Sequence, residues 1–366
     1  MIRIEALNRK QLQDYIDSPD FGEGEFIPIS YHRAISQIKN PRAANDDILL
    51  LLAYNGEQLA GYLGILPDYL FIADKQIKIA WLSCIYVDKN HRGKKIAQKL
   101  VEKSLEIWNY NIILTEYTEP AKRLYNKMGE FANLPPKKKG IRLYLRSDLR
   151  YILPPKSIFF ERIKPGLIIL DKIFNTIFDL RFLFYKVKLN KLKLEYLNEI
   201  DTESESFMKP KIYNSIFKRG AEELNWIIKN PWVISRKNIK CFSEKYHFSS
   251  LDKTFDFIPV KVKDEYGKVV FVAIFAKRNG RLKIPYIYYD SVEIANEIIK
   301  YHLVKWKIKT ATIYDEKIVD FIKKHKTPAL YKKDFIRNYL ISKRISDFLD
   351  HSDLNIQDGD GDAGFT

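Results

Sequence analysis

The run Val87-Asp88-Lys89-Asn90-His91-Arg92-Gly93-Lys94-Lys95-Ile96-Ala97 holds the residues best suited to chemistry in this sequence. A strand-like apolar pattern ends at Val87 and a helical pattern begins at Ile96, so a basic, Gly-containing turn opens directly into a helix. The first amides of a helix lack intrahelical acceptors and lie at the positive end of its dipole, so a phosphate placed there is bound by main chain. Gly93 allows close backbone approach, Arg92, Lys94 and Lys95 add charge, and small Ala97 lets the first turn near a pyrophosphate. The competing reading is a solvated basic turn that caps an ordinary helix. A second group lies downstream: Thr118, Ala121, Tyr125 and Gly129 follow a short buried-type strand at 112–115, on a helix opened by Pro120.

Taken together, Val87-x(4)-Arg92-Gly93-Lys94-x-Ile96-Ala97-x-x-Leu100 resembles the acyl-CoA-binding signature of the GNAT superfamily of N-acyltransferases, Arg/Gln-x-x-Gly-x-Gly/Ala. The signature falls on Arg92, Lys95 and Ala97. Lys95 stands where the family usually has glycine, and a helical conformation at that position would accommodate it. Ala121-x-x-x-Tyr125-x-x-x-Gly129 resembles the family's second half, with Thr118 in place of the usual Asn and Glu130 set between Gly129 and Phe131.

The resemblance covers roughly residues 1–146 and implies acetyl-CoA, or another acyl-CoA, as cosubstrate. The strand at Ile85 and Val87 would pair its backbone with pantetheine, and the Ile85 amide would polarise the thioester carbonyl. Arg92, Gly93, Lys94, Lys95, Ile96 and Ala97 would hold the phosphates, with Thr118 bordering the cosubstrate. Tyr125 would give a proton to the departing thiolate. For a general base, the strand ahead of the loop offers only Trp81, Ser83 and Cys84. Glu116, just after the next strand, could act through water; its ordinary fate is an exposed loop carboxylate. Cys84 reads as a buried strand thiol, with an acylated nucleophile as the open alternative.

These residues need a scaffold, and the chain supplies mixed α/β patterning. Strand-like stretches at 48–54 and 58–66 are joined by Asn55-Gly56, a strong hairpin signal. A strand at 77–87, the basic loop, a helix at about 96–108, a strand and a further helix follow. The expected fold is a GNAT-like mixed sheet over residues 1–147. Residues 148–198 read as a basic connector with ten Lys/Arg against three Asp/Glu between 150 and 194. Leu170, Ile173, Phe174, Ile177 and Phe178 recur there at helical spacing. That stripe is expected to pack as a connecting helix across both domains; the alternative is a basic amphipathic helix on a membrane surface. Residues 199–348 read as a second α/β domain, a degenerate GNAT-like unit without the basic loop and so without CoA. Trp226 and Trp232 in it are expected in a core, an acceptor cleft being the alternative. Residues 349–366 read as a solvated acidic tail. Asp358-Gly359-Asp360-Gly361-Asp362 resembles a calcium loop but lacks its later Glu and its length.

At 366 residues, 46% hydrophobic and 30% charged, the chain suits two globular domains. Its net charge of +16 favours anionic partners, although a Lys-, Ile-, Asn- and Tyr-rich bias gives the same excess. Cys84 and Cys241 stand far apart and the six His are scattered, so no metal site is expected. Without a visible secretory signal, a reducing cytoplasm is expected. The function expected is acetyl transfer to a primary amine of a small molecule, an amino sugar or amino acid derivative, without specific nucleic-acid binding. Two other readings stay open: a tandem protein that transfers an amino acid from charged tRNA, and a non-catalytic acyl-CoA sensor.

Overall fold

The computed structural model describes all residues except 73–74, 116, 136, 185–188, 190, 214, 236–242, 350–353 and 366. Glu116 and Cys241 lie outside the described residues. Two compact units emerge, and neither is one continuous stretch. The first comprises residues 1–138, 198–256 and 337–366; the second comprises 139–197 and 257–336.

In chain order the first unit opens with β1 (Ile2–Asn8), α1 (Arg9–Asp17), α2 (Tyr31–Ile38), β2 (Ile48–Asn55), β3 (Gln58–Ile72) and β4 (Lys75–Val87). It continues with α3 (Ile96–Ile107), β5 (Ile112–Thr115), α4 (Glu119–Met128) and β6 (Phe131–Asn133). The second unit follows with β7 (Lys138–Tyr144), α5 (Leu149–Ile152), α6 (Ile158–Arg162), α7 (Lys164–Leu180) and β8 (Lys193–Tyr196). The chain then returns to the first unit for α8 (Thr202–Ile212), α9 (Ala221–Lys229) and a small parallel pair, β9 (Ile234–Ser235) and β10 (Leu251–Asp252). The second unit is completed by β11 (Phe255–Lys263), β12 (Val269–Arg278), β13 (Arg281–Tyr289), α10 (Val292–Lys305), β14 (Thr310–Ile313), α11 (Glu316–Lys324) and β15 (Tyr331–Arg337). The first unit ends with β16 (Tyr339–Ser342) and α12 (Lys343–Ser346).

The first sheet has the order β1-β2-β3-β4-β5-β16-β6, antiparallel except for the parallel pair β4–β5. Leu51, Leu63, Ile65, Leu82 and Leu114 pack one face of it against Ile96, Leu100 and Leu105 of α3. Leu50, Leu52 and Tyr62 pack the other face with Leu12, Ile16 and Ala34 of α1 and α2. The alternation follows from the period of two along a strand, which sends successive side chains to opposite faces.

The second sheet, β15-β7-β14-β13-β12-β11-β8, repeats the order position by position. Its parallel pair is β13–β14, crossed by α10 as β4–β5 is crossed by α3. The sixth place in each sheet is held by a strand from a distant part of the chain: β16 beside β5, and β7 beside β14. Fold class is therefore mixed α/β with two GNAT-like units.

Three local expectations are corrected. Helix α9, with Trp226 and the nearby Trp232, belongs to the first unit rather than to the block after residue 199. The supposed solvated tail is largely buried, with Asp358, Asp360, Gly361 and Phe365 all inaccessible. The apolar stripe of α7 does not pack inward: Leu170, Ile173, Phe174 and Ile177 are exposed. Linear reading missed these because burial is fixed by partners well outside the local stretch, from 21 residues away for Asp171 of α7 to 279 for Asp362.

Candidate active site

Strand β4 runs beside β5 over only three residues, Ala80 to Leu82 opposite Ile112 to Leu114. Beyond Leu82, β4 continues to Val87 with β3 on one side and no strand on the other among the described residues. The Asp88 amide donates to the Ala60 carbonyl of β3 at 2.9 Å. Amides alternate between the two edges of a strand, so Val87 and, by the same count, Ile85 present theirs to the open edge. That opening is where an extended, amide-bearing chain such as pantetheine can add its own hydrogen bonds.

A bulge shapes the same place. Ser83 faces Gly64 and Tyr86 faces Tyr62, so Cys84 and Ile85 together oppose the single residue Leu63. Cys84 takes the left-handed conformation, φ 59°, which L residues adopt at a cost. Buried Arg33 of α2 supports it. Its Nη1 donates to Cys84 Sγ at 2.6 Å and to the Tyr246 hydroxyl at 2.7 Å, and its Nη2 donates to Ser83 Oγ at 3.0 Å. The guanidinium also lies 3.9 Å from the centre of the Trp232 ring. Burial alone would lower the basicity of Arg33, but Cys84, Tyr246 and Asp362 outweigh it, so the cation is retained. Gly64 makes room: a Cβ there would stand 2.9 Å from Arg33 Nη2 and 2.8 Å from the Ser83 carbonyl.

The loop after β4 turns through Lys89–His91, capped by Asp88, whose side chain accepts from the Asn90 amide at 2.9 Å. Gly93 has φ 84°. Lys95 is the N-cap of α3 in the left-handed conformation, φ 58°, and contributes no side-chain cap. Lys95 is therefore not helical, the condition under which it would replace glycine freely; the site keeps the geometry that glycine favours, at a cost of roughly 1–2 kcal/mol for a residue with a Cβ. The first-turn amides of α3 are left for an external acceptor. Arg92, Lys94 and Lys95 are exposed around them, while Ile96 is buried as the helix's anchor. An open helix end ringed by cations fits a pyrophosphate.

On the far side, Thr118 is the N-cap of α4, accepting from the Ala121 amide at 3.4 Å. Its hydroxyl therefore has a structural partner already. Tyr125 is 4% exposed and belongs to the same core cluster as Ile96, a cluster against which Ile85 and Val87 also pack. Burial, and after it the charge of Asp362, raises the Tyr125 pKa above its usual value, so the phenol keeps its proton.

Asp362 is the residue that sequence reasoning missed. Its carboxylate accepts from Ser83 Oγ at 2.8 Å, beside the Cys84 bulge. The segment carrying it is fixed at every second residue. Arg337 Nη1 donates to the Asp358 backbone at 2.7 Å, and Arg219 Nε donates to Asp360 at 3.2 Å. Gly361, φ 76°, lies on the Trp81 indole so closely that a Cβ would stand 2.7 Å from it. Phe365 stacks on Trp232 with ring centres 4.4 Å apart, and the Trp232 amide donates to the Phe365 carbonyl. Arg219 also pairs with Asp68, which accepts from Arg42 at 2.7 Å and from Trp81 Nε1 at 2.9 Å. Burial favours the neutral form of Asp68, but Arg219 and Arg42 hold its pKa below the usual range. A signal existed in the sequence: alternating Asp and Gly closed by an aromatic residue is an odd composition for a solvated tail.

An open-edged strand, a bulge, an uncapped basic helix end and a buried phenol lie together in the first unit. Residues 46–129, which hold all four of these features but neither Arg33 nor Asp362, match the model of the acetyltransferase (GNAT) domain. The chain carries a GNAT acetyltransferase domain and is an acyl-CoA-dependent N-acyltransferase. Among solved structures it is similar to a probable N-acyltransferase from Enterococcus faecalis V583, at 9% identity over 94% of this chain and 73% of that one, TM-score 0.52. It is similar also to a GCN5-related N-acetyltransferase from Anabaena variabilis, at 12% identity over 93% of this chain and 72% of that one, TM-score 0.50. At these identities the likeness is one of fold. No curated protein matches the sequence.

Proposed function

We propose that the protein transfers an acetyl group from acetyl-CoA to a primary amine of a small molecule, by direct attack of the amine on the thioester. The observation that carries this reading is the five-residue stretch of β4 beyond Leu82, open on one edge and leading into the uncapped N-terminus of α3. Phosphates would sit on the amides of Ile96 and Ala97 among Arg92, Lys94 and Lys95, with Gly93 letting the backbone approach. The Ile85 and Val87 amides would line the pantetheine and the thioester carbonyl.

The amine nitrogen forms its bond to the carbonyl carbon as the carbon–sulfur bond breaks. One amine proton passes to Asp362, directly or through Ser83, and the Tyr125 phenol gives its proton to the CoA sulfur. Solvent returns a proton to Tyr125 and takes one from Asp362, so acetylated amine and CoA thiol are the net products. Asp362 supplies the carboxylate at the site, where Glu116 lies outside the described residues. Arg33 holds Ser83 and Cys84 in place and is a positioning residue.

The test is thiol release from acetyl-CoA over a panel of amino sugars and amino acid derivatives, on wild type and Asp362→Asn. The variant should lose about 10²-fold in kcat at neutral pH while its acetyl-CoA affinity stays at the wild-type value. Wild-type turnover by the variant would remove Asp362 from the reaction.

A further inference from the structure

Helix α7 is turned inside out relative to an ordinary surface helix, whose apolar stripe faces the core. Its inward ridge runs Leu167, Asp171, Asn175, Asp179, one residue per turn. Asp171 is buried and accepts from Ser147 Oγ at 2.5 Å and from the amides of Leu149 and Arg150 at 2.8 and 3.1 Å. Asn175 accepts from the Ser147 amide and donates to the Ser147 carbonyl. Asp179 accepts from Arg146 Nε at 2.6 Å. The acids of α7 are thus spent on its own unit. Its outer side presents Ile169, Ile173 and Ile177, exposed by 61%, 51% and 56%, flanked by Ile168, Leu170 and Phe174. Helix α6 and the turn into α7 extend the same character, with Ile158 76% and Phe159 59% exposed.

Scattered exposed apolar residues are normal, but a contiguous apolar face on a helix marks a binding surface. The charges around this face identify its occupant. The exposed ionic residues of 156–180 are Lys156, Arg162, Lys164 and Lys172 against Glu161 alone, and Glu161 is paired with Lys164 at 2.7 Å. Apolar residues that sink between acyl chains, with cations at the level of headgroups, suit the surface of an anionic bilayer. No helix among the described residues is long and apolar enough to cross a membrane, so the contact is peripheral. We infer that α6 and α7 dock this protein on an anionic membrane surface, with Ile169, Ile173 and Ile177 inserted. This goes beyond the proposed acetyl transfer and does not rest on it.

The experiment is co-sedimentation of the full chain with vesicles of phosphatidylcholine and phosphatidylglycerol, 3:1, and of phosphatidylcholine alone. Binding is expected on the anionic vesicles and should weaken about tenfold in Lys164→Glu with Lys172→Glu. The triple variant Ile169→Glu, Ile173→Glu, Ile177→Glu should lose vesicle binding while keeping close to the wild-type thermal midpoint, because all three side chains are more than half exposed. Three results overturn the proposal: no binding by wild type, equal binding to phosphatidylcholine alone, or full binding by the triple variant. A concentration-dependent dimer that the triple variant abolishes, without vesicle binding, would overturn it too and assign the face to a second copy of this chain.

Discussion

In the first unit the passage from β4 to α3 takes the eight residues 88–95, and the helix starts at a Lys in left-handed conformation with no side-chain cap. In the second unit the equivalent passage, from β13 to α10, is Asp290 and Ser291 alone. Ser291 caps α10 by accepting from the Ile294 amide at 3.3 Å. The strands diverge in both units, since β13 pairs with β14 only over Arg281 to Lys283. In the second, however, the tip of β13 is tied across: the Tyr289 hydroxyl donates at 2.7 Å to Asp315, the N-cap of α11. Ile284, Tyr286, Ile287 and Tyr288 are buried, whereas Cys84, Ile85, Tyr86 and Val87 of the first unit are half-buried. One topology therefore yields an open, uncapped helix end or a closed, capped one, and the helix cap and the loop length decide which.

The largest expected effect tests the open side of that comparison. Tyr125→Phe should cut kcat by about 10²–10³, roughly 3–4 kcal/mol of barrier, with acetyl-CoA affinity unchanged. Steady-state thiol release combined with calorimetry separates the two, and wild-type turnover would remove the phenol from the reaction.

Next comes the closed side. His302 is buried against the Ile298 carbonyl at 2.7 Å and the Tyr196 hydroxyl at 3.2 Å, and burial pushes its pKa down from 6.5 to about 4. Below pH 6.5 the unfolded chain takes up a proton that the folded chain refuses. The stability is therefore complete above pH 6.5 and is lost as pH falls toward 4, by up to about 3 kcal/mol. Denaturant melts at pH 7 and 4.5 should show it, and His302→Phe should flatten the slope.

A smaller effect is expected in the basic loop. Neutralising Arg92, Lys94 and Lys95 together to Ala should weaken acetyl-CoA binding by about 10–100-fold, as charge-assisted contacts to phosphate are lost. Wild-type affinity should fall with added salt and the variant's should not.

The two helix ends give the finest contrast. Ser291→Ala should cost about 1 kcal/mol of stability by removing a cap and leave acetyl-CoA binding untouched. Lys95→Gly should instead gain roughly 1 kcal/mol by relieving the left-handed residue, while weakening binding slightly. Equal behaviour of the two variants would erase the distinction between the units.

How much of this was legible in the sequence differs by residue. The Asn55-Gly56 hairpin, the basic turn at 88–95 and the α3 and α4 helices were readable because each is a local pattern of spacing and turn chemistry. The conformation of Lys95 was not legible, because a residue's φ reflects how the loop must close, and Lys has no intrinsic preference for the left-handed region. The α7 stripe was readable as a period but not as a direction. Its facing was set by Asp171, Asn175 and Asp179 finding partners at 146–150.

The sequence by itself determined the local devices: a strand that ends in a basic glycine turn, a helix end able to bind an anion, and a tyrosine one helix later. These depend on neighbours a few residues apart, and short-range sterics and hydrogen bonding suffice to specify them. Only the tertiary structure decided that β16 returns to the first sheet, that Arg33 reaches under Cys84, and that Asp362 meets Ser83 from 279 residues away. A pairing at that separation repays its loop-closure entropy only when many buried contacts form at once. Here those contacts are the Arg219–Asp360 and Arg42–Asp68 pairs and the Phe365–Trp232 stack, whose joint geometry no local stretch of sequence contains.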